Sequence, residues 1–103
     1  MKPQLRMTRP SEALNVHREG IRMLVAAHRG ANPRVFGSTA RGEDRNGSDL
    51  DILIDRQVGM TLFDLCALLH DVEQLTGVPA DVVTVGSLRP NIRERVLAEA
   101  QPI

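Results

Sequence analysis

Two neighbouring stretches decide how this chain is read: Gly37-Ser38-Thr39-Ala40-Arg41-Gly42-Glu43 and Ser48-Asp49-Leu50-Asp51-Ile52-Leu53-Ile54-Asp55. The second begins by alternating acid with aliphatic residue and then runs apolar, the pattern of a strand with two differently used faces. Side chains alternate across a strand, so Asp49 and Asp51 share a face, with Cα atoms about 6.5–7 Å apart. Two carboxylates at the head of a buried strand lose solvation and repel each other unless something positive stands between them. A divalent cation removes both penalties. With oxygen donors and no His or Cys in the group, magnesium or manganese suits the pair better than zinc, and magnesium is ordinarily completed by phosphate oxygens and water.

The first stretch supplies a place for those phosphates. Arg34-Val35-Phe36 reads as a short buried strand that stops at Gly37, where glycine can take backbone angles closed to other residues. Residues 39–41 can then start a short helix. A strand-to-helix turn at Gly37-Ser38 presents unpaired amides and a hydroxyl to phosphate oxygens, helped by the helix dipole, and glycine permits close approach. The expected ligand is therefore a metal-bound triphosphate.

Outward from these stretches the chain alternates helix and strand. Residues 1–10 carry Lys2, Arg6 and Arg9, no acid and two prolines, and are expected to form a loose tail ahead of a single domain over residues 11–103. Ser11 offers an N-cap, and Leu14, Ile21, Leu24, Val25 and His28 follow helical spacing up to Gly30, weakened slightly by Gly20. Residues 43–48 form a polar loop with an Asn46-Gly47 turn signal, expected on the surface. From Thr61, a second N-cap, Leu62, Leu65, Cys66, Leu69, Val72 and Leu75 predict one helical face ending at Gly77. After Pro79, the β-branched residues 81–85 predict a strand and residues 93–100 a last helix. The order αβαβαβα, with no internal repeat, points to an α/β (α+β) domain with helices packed on a small sheet whose strand directions stay open.

Composition removes several classes of function. Thirteen Lys and Arg balance thirteen Asp and Glu, so no positive field exists for a long nucleic acid. Trp and Tyr are absent and the two Phe are expected in the core, which leaves no platform for stacking bases. The single Cys66 excludes an intramolecular disulfide and is expected as a small core residue in a reducing compartment. No apolar run reaches the roughly 18–20 residues of a membrane span, and the opening residues lack a secretory pattern, so a cytoplasmic location is expected. His17, His28 and His70 have no acidic or cysteine neighbour at a metal-ligand spacing and read as surface or helix-end residues. Asp55 reads as the residue that returns the strand to solvent.

The two stretches together resemble the GSxARGE and SDxDxLV signature of minimal nucleotidyltransferases, a family of the DNA polymerase beta-like superfamily. The resemblance runs from the first helix to the strand at residues 81–85, where the family places a third carboxylate in a segment like Ala80-Asp81-Val82-Val83. It implies that Asp49 and Asp51 bridge two metal ions, magnesium or manganese, and that Asp81 binds the ion activating the acceptor hydroxyl. It also implies that Gly37 and Ser38 hold the terminal phosphates of ATP, while Arg41 either approaches the triphosphate or braces Glu43 or Asp49. The mixed sheet of the superfamily is implied with it.

Chains this small in the family are typically antitoxins paired with HEPN toxins, attaching AMP from ATP to a tyrosine of the toxin. The resemblance thus implies a HEPN toxin as protein partner in a hetero-oligomer. A single domain has no room for a second unit to grip an acceptor, which fits an acceptor supplied from outside. Two other readings stand beside this one: an antitoxin that neutralises by binding alone, and a nucleotidyltransferase acting on a small molecule or an RNA end. Arg22 and His28 also match the loose RNase pattern of HEPN proteins, but a HEPN fold is helical throughout, whereas residues 50–54 and 82–85 read as strands.

Overall fold

The computed structural model describes residues 8–103, so residues 1–7 of the tail expected at 1–10 lie outside the described residues, while Pro10 already belongs to the first helix. Among the described residues, four α-helices and four strands follow one another: α1 (Pro10–Ala27), β1 (Gly30–Phe36), α2 (Gly37–Arg41), β2 (Leu50–Arg56), α3 (Leu62–Thr76), β3 (Ala80–Thr84), then a 3-10 turn (Val85–Ser87), α4 (Pro90–Glu99) and β4 (Gln101–Pro102). The sheet order is β3-β2-β1-β4; β1 lies antiparallel to β2 and β4, while β2 and β3 run parallel. This is the mixed sheet expected.

Register explains how one strand serves both core and site. Val35, Ile52 and Val82 are paired across β1, β2 and β3, and all three are buried. With Leu50 and Ile54 on the same face of β2, they meet Ala13, Leu14, Ile21 and Val25 of α1 and Leu68 and Val72 of α3 in one apolar cluster. Leu50, Ile52 and Ile54 are each 0% exposed, and burying such a side chain contributes about 1.5–3 kcal/mol. The adjoining rung, Phe36, Asp51 and Asp81, is one residue further along each pairing and therefore faces away from α1 and α3.

Several boundaries and faces differ from the sequence reading. The first helix starts at Pro10, which is buried, rather than after a Ser11 cap; proline suits the first helical position because its missing N–H would have no partner there. The Ser11 amide is instead held by Asp44 Oδ2 at 2.8 Å, with Arg9 Nη2 donating to Asp44 Oδ1 at 3.3 Å. Asp44 is consequently 5% exposed, so the polar loop after Glu43 is not wholly superficial. The helix is interrupted at His17, and Gly20 has a packing reason: a side chain there would meet Leu75 Cδ2 at 2.8 Å. Strand β1 begins at Gly30, four residues before Arg34, because pairing with β2 recruits a weak strand sequence, with a register shift between Ala31 and Arg34.

Thr61 caps α3 as expected: the Asp64 amide donates to Thr61 Oγ1 at 3.2 Å, and the Thr61 amide donates to Asp64 Oδ2 at 2.9 Å. The expected face of α3 is largely kept, with Val72 in the core and Leu65, Leu69 and Leu75 packed against it. Leu68 and Val72 are its buried centre, whereas Leu62 is 73% exposed and Cys66 is exposed rather than a core residue. The expectation that both Phe lie in the core also fails, with Phe63 87% exposed. The first half of α3 is apolar nearly all round, so periodicity there did not separate exposed Leu62 and Cys66 from buried Leu68. Helix α4 starts at Pro90 rather than Arg93, and β3 ends at Thr84 rather than Val85. The two-residue β4, held by backbone pairing to β1, had no propensity signal. No helix of the described residues is long and apolar enough to cross a membrane.

Candidate active site

The turn between β1 and α2 stands against the polar rung of the sheet. Phe36 pairs with Asp51, and Gly37 follows it with φ +72°, a left-handed conformation that glycine adopts without strain. A side chain at Gly37 would run into the Asp51 carboxylate, so the glycine is required by approach as well as by backbone angle. Helix α2 closes after a single turn on Gly42, with the Glu43 amide donating to the Ser38 carbonyl at 2.8 Å. Ser38 thus sits in the first turn of α2, two residues after Phe36, the β1 partner of Asp51.

Asp51 and Asp81 are direct partners in the parallel pairing of β2 with β3, and the Leu50 amide donating to the Pro79 carbonyl at 2.8 Å aligns the two strand starts. Asp49 immediately precedes β2 after a turn in which the Arg45 amide donates to Ser48 Oγ at 2.9 Å. Asp49 and Asp81 are exposed and Asp51 is half-buried. Burial, followed by the charges of Asp81, Asp49 and Glu99, pushes the Asp51 carboxyl up to about 6, with Arg41 acting in the opposite direction. Three acids and one base therefore surround a fourth acid that is short of positive charge.

Arg41 does not contact Asp49. Its Nε donates to Glu43 Oε1 at 3.0 Å and its Nη1 donates to Glu99 Oε1 at 3.0 Å. The other oxygen of Glu99 accepts the Gly37 amide at 2.8 Å. That amide, then Arg41, hold the Glu99 carboxyl below the usual glutamate range against the opposing effect of burial. Glu99 is the site residue that sequence reading missed. It lies in a charged helix with no motif, 62 positions from Gly37, and only the tertiary fold brings it to the turn.

Other expected residues fall outside the site. Asp55 is half-buried, accepting Asn32 Nδ2 at 2.6 Å and Arg34 Nη2 at 3.2 Å, so it closes a polar cluster at the far end of β2. Asn32, first, and Arg34 hold its carboxyl below the usual range, with burial opposing. His28 Nε2 lies 2.9 Å from Asp71 Oδ2, joining the end of α1 to α3, and Arg22 Nε donates to the Ile103 carbonyl at 2.7 Å. Neither residue reaches the turn, and the sheet itself removes the HEPN reading.

The donor set suits a hard divalent ion. Asp49, Asp51 and Asp81 offer oxygen ligands only, and the raised Asp51 carboxyl marks an excess of negative charge that a cation would offset. Among the described residues, no three His, Cys, Asp or Glu side chains are gathered closely enough to hold a metal ion, so Asp49, Asp51 and Asp81 do not by themselves form a three-ligand site. The Gly37 cradle already holds an oxyanion, the Glu99 carboxylate.

Comparison with known proteins identifies the family. The sequence pattern of the nucleotidyltransferase domain matches residues 17–103. A Methanocaldococcus jannaschii protein named as a protein adenylyltransferase is 41% identical over 66 residues, 64% of this chain and 71% of that one. The protein adenylyltransferase MntA of Thermococcus cleftensis is 40% identical over 65 residues, 63% of this chain and 66% of that one. A solved structure described as a minimal nucleotidyltransferase superposes with a TM-score of 0.83 at 45% identity, covering 90% of this chain and 95% of that one. A toxin-antitoxin complex crystallised with AMP-PNP shares the fold at a TM-score of 0.72 and 17% identity, over 82% of this chain and 69% of that one. A match across most of the length, relatives at this identity and a shared fold lead to one conclusion: the chain belongs to the nucleotidyltransferase domain family.

Proposed function

We propose that this chain is an antitoxin that transfers AMP from ATP to a tyrosine of a cognate HEPN RNase toxin. The observation that carries the reading is the placement of the Gly37-Ser38 turn against the Asp51–Asp81 rung, so that a phosphate cradle and paired carboxylates face one another. The names of the relatives, protein adenylyltransferases, support a protein acceptor.

The roles follow from position. Gly37 and Ser38 bind the terminal phosphates through the backbone amide and the hydroxyl, and Arg41 is within reach of the same anion. Asp49, Asp51 and Asp81 would hold magnesium ions, which when bound neutralise the triphosphate and favour the ionised acceptor hydroxyl. The tyrosine oxygen forms a bond to the α-phosphorus, the bond from that phosphorus to the bridging oxygen breaks, and pyrophosphate leaves; the phenolic proton passes to solvent. Phosphate charge and nucleotide bulk beside an RNase site would then repel and block RNA.

Purified chain, toxin, magnesium and ATP are expected to yield a mass increase of AMP on the toxin, lost on replacing that tyrosine by Phe and in Asp49→Ala or Asp51→Ala chain. Neutralisation that survives both aspartate substitutions, with no mass increase in the native pair, would favour inhibition by binding alone.

A further inference from the structure

One carboxylate already occupies the place that the proposed reaction reserves for phosphate. Glu99 Oε2 accepts the Gly37 amide at 2.8 Å while Glu99 Oε1 accepts Arg41 Nη1 at 3.0 Å. Carboxylate and phosphate oxygens compete for the same donors, because both form charge-assisted hydrogen bonds with amides and guanidinium groups. In this position Glu99 also adds negative charge near Asp51. Its side chain is 28% exposed, leaving a route to solvent by rotation. The backbone of α4 need not move, being anchored by buried Val96 and by β4, which follows it and pairs with β1.

We infer that Glu99 is an internal stand-in for a phosphate group: it keeps the Gly37 cradle shaped and closed, and an incoming polyphosphate must displace it, releasing Arg41 to the ligand. This rests on the reading of the Gly37-Ser38 turn as the phosphate cradle. Affinity for ATP is then lower than the cradle could provide, because the binding-competent arrangement is only part of the population.

Calorimetric titration of the full chain with magnesium-ATP, and separately with magnesium tripolyphosphate, tests the idea in the native protein, Glu99→Gln and Glu99→Ala. Both variants are expected to bind both ligands roughly 3- to 10-fold more tightly, the gain reflecting removal of the competitor. The Gly37 amide resonance should move on ATP binding to the native chain, as its acceptor changes from carboxylate to phosphate. Glu99→Gln retains an oxygen acceptor of the same shape, and melting curves identify any loss of folding in Glu99→Ala. Unchanged or weaker affinity in folded Glu99→Gln, with ATP still bound by the native chain, would overturn the proposal and leave Glu99 as a brace of the turn. ATP binding that leaves the Gly37 amide unmoved in all three proteins would overturn the phosphate cradle itself, and the stand-in with it.

Discussion

Asp51 is the residue at which stability and chemistry oppose each other. Its carboxyl is raised from 3.8 to about 6, so between those values the folded chain holds a proton that the unfolded chain has released. Stability is therefore lost as pH rises through about 4 to 6, and the cost persists above that window. A shift of this size has an upper bound near 3 kcal/mol; for a half-buried group that keeps some water, about 1–2 kcal/mol is expected. Asp51→Asn should accordingly stabilise the ligand-free chain by that amount at pH 8 and by almost nothing at pH 3.5, as read by urea denaturation, while abolishing nucleotide transfer. Gly37→Ala places a methyl group against the same carboxylate in a left-handed backbone position and should reduce magnesium-ATP affinity at least tenfold in titration.

Among the elements, α1 depends on a cap from far away in sequence. Burial alone would raise the Asp44 carboxyl, but the Ser11 amide and the Arg9 guanidinium outweigh it and hold the group below its ordinary range. The resulting stability is present above about pH 4 and lost as pH falls below it. Asp44→Ala is expected to destabilise the domain by about 1–3 kcal/mol at pH 7, with α1 exchanging its amide hydrogens faster than α3. This cap escaped sequence reading because its partners are 33 residues apart. The Thr61 cap was legible because both partners lie within one turn. The same division runs through the site. The Gly37 turn and the alternating acids of β2 are local patterns and could be located from sequence. Glu99 and the burial of Leu68 in place of Leu62 and Cys66 are products of tertiary contact, and no local rule marks them.

For the whole molecule, the alternation of helix and strand was enough to anticipate helices on a small sheet, but not strand directions, because parallel and antiparallel pairing place the same apolar residues inside. β4 was invisible for a related reason: Gln101 and Pro102 have no strand preference and are held by the edge of β1. Since β2 carries the core on one face, Ile52→Ala should destabilise the domain by about 2–5 kcal/mol, measurable by chemical denaturation.

The offset between the Val35–Ile52–Val82 rung and the Phe36–Asp51–Asp81 rung gives β2 the character of a reading frame. One residue inserted between Asp51 and Ile52 would transpose everything on one side of the insertion, sending carboxylates toward the helices or aliphatic side chains toward the candidate site. Tolerance to length change should therefore be sharply uneven along the chain. The loop at Asn46-Gly47, whose glycine has open space around it, can absorb added residues at little energetic cost. The six residues from Asp49 to Ile54 can absorb none, and there folding and catalysis would be lost together.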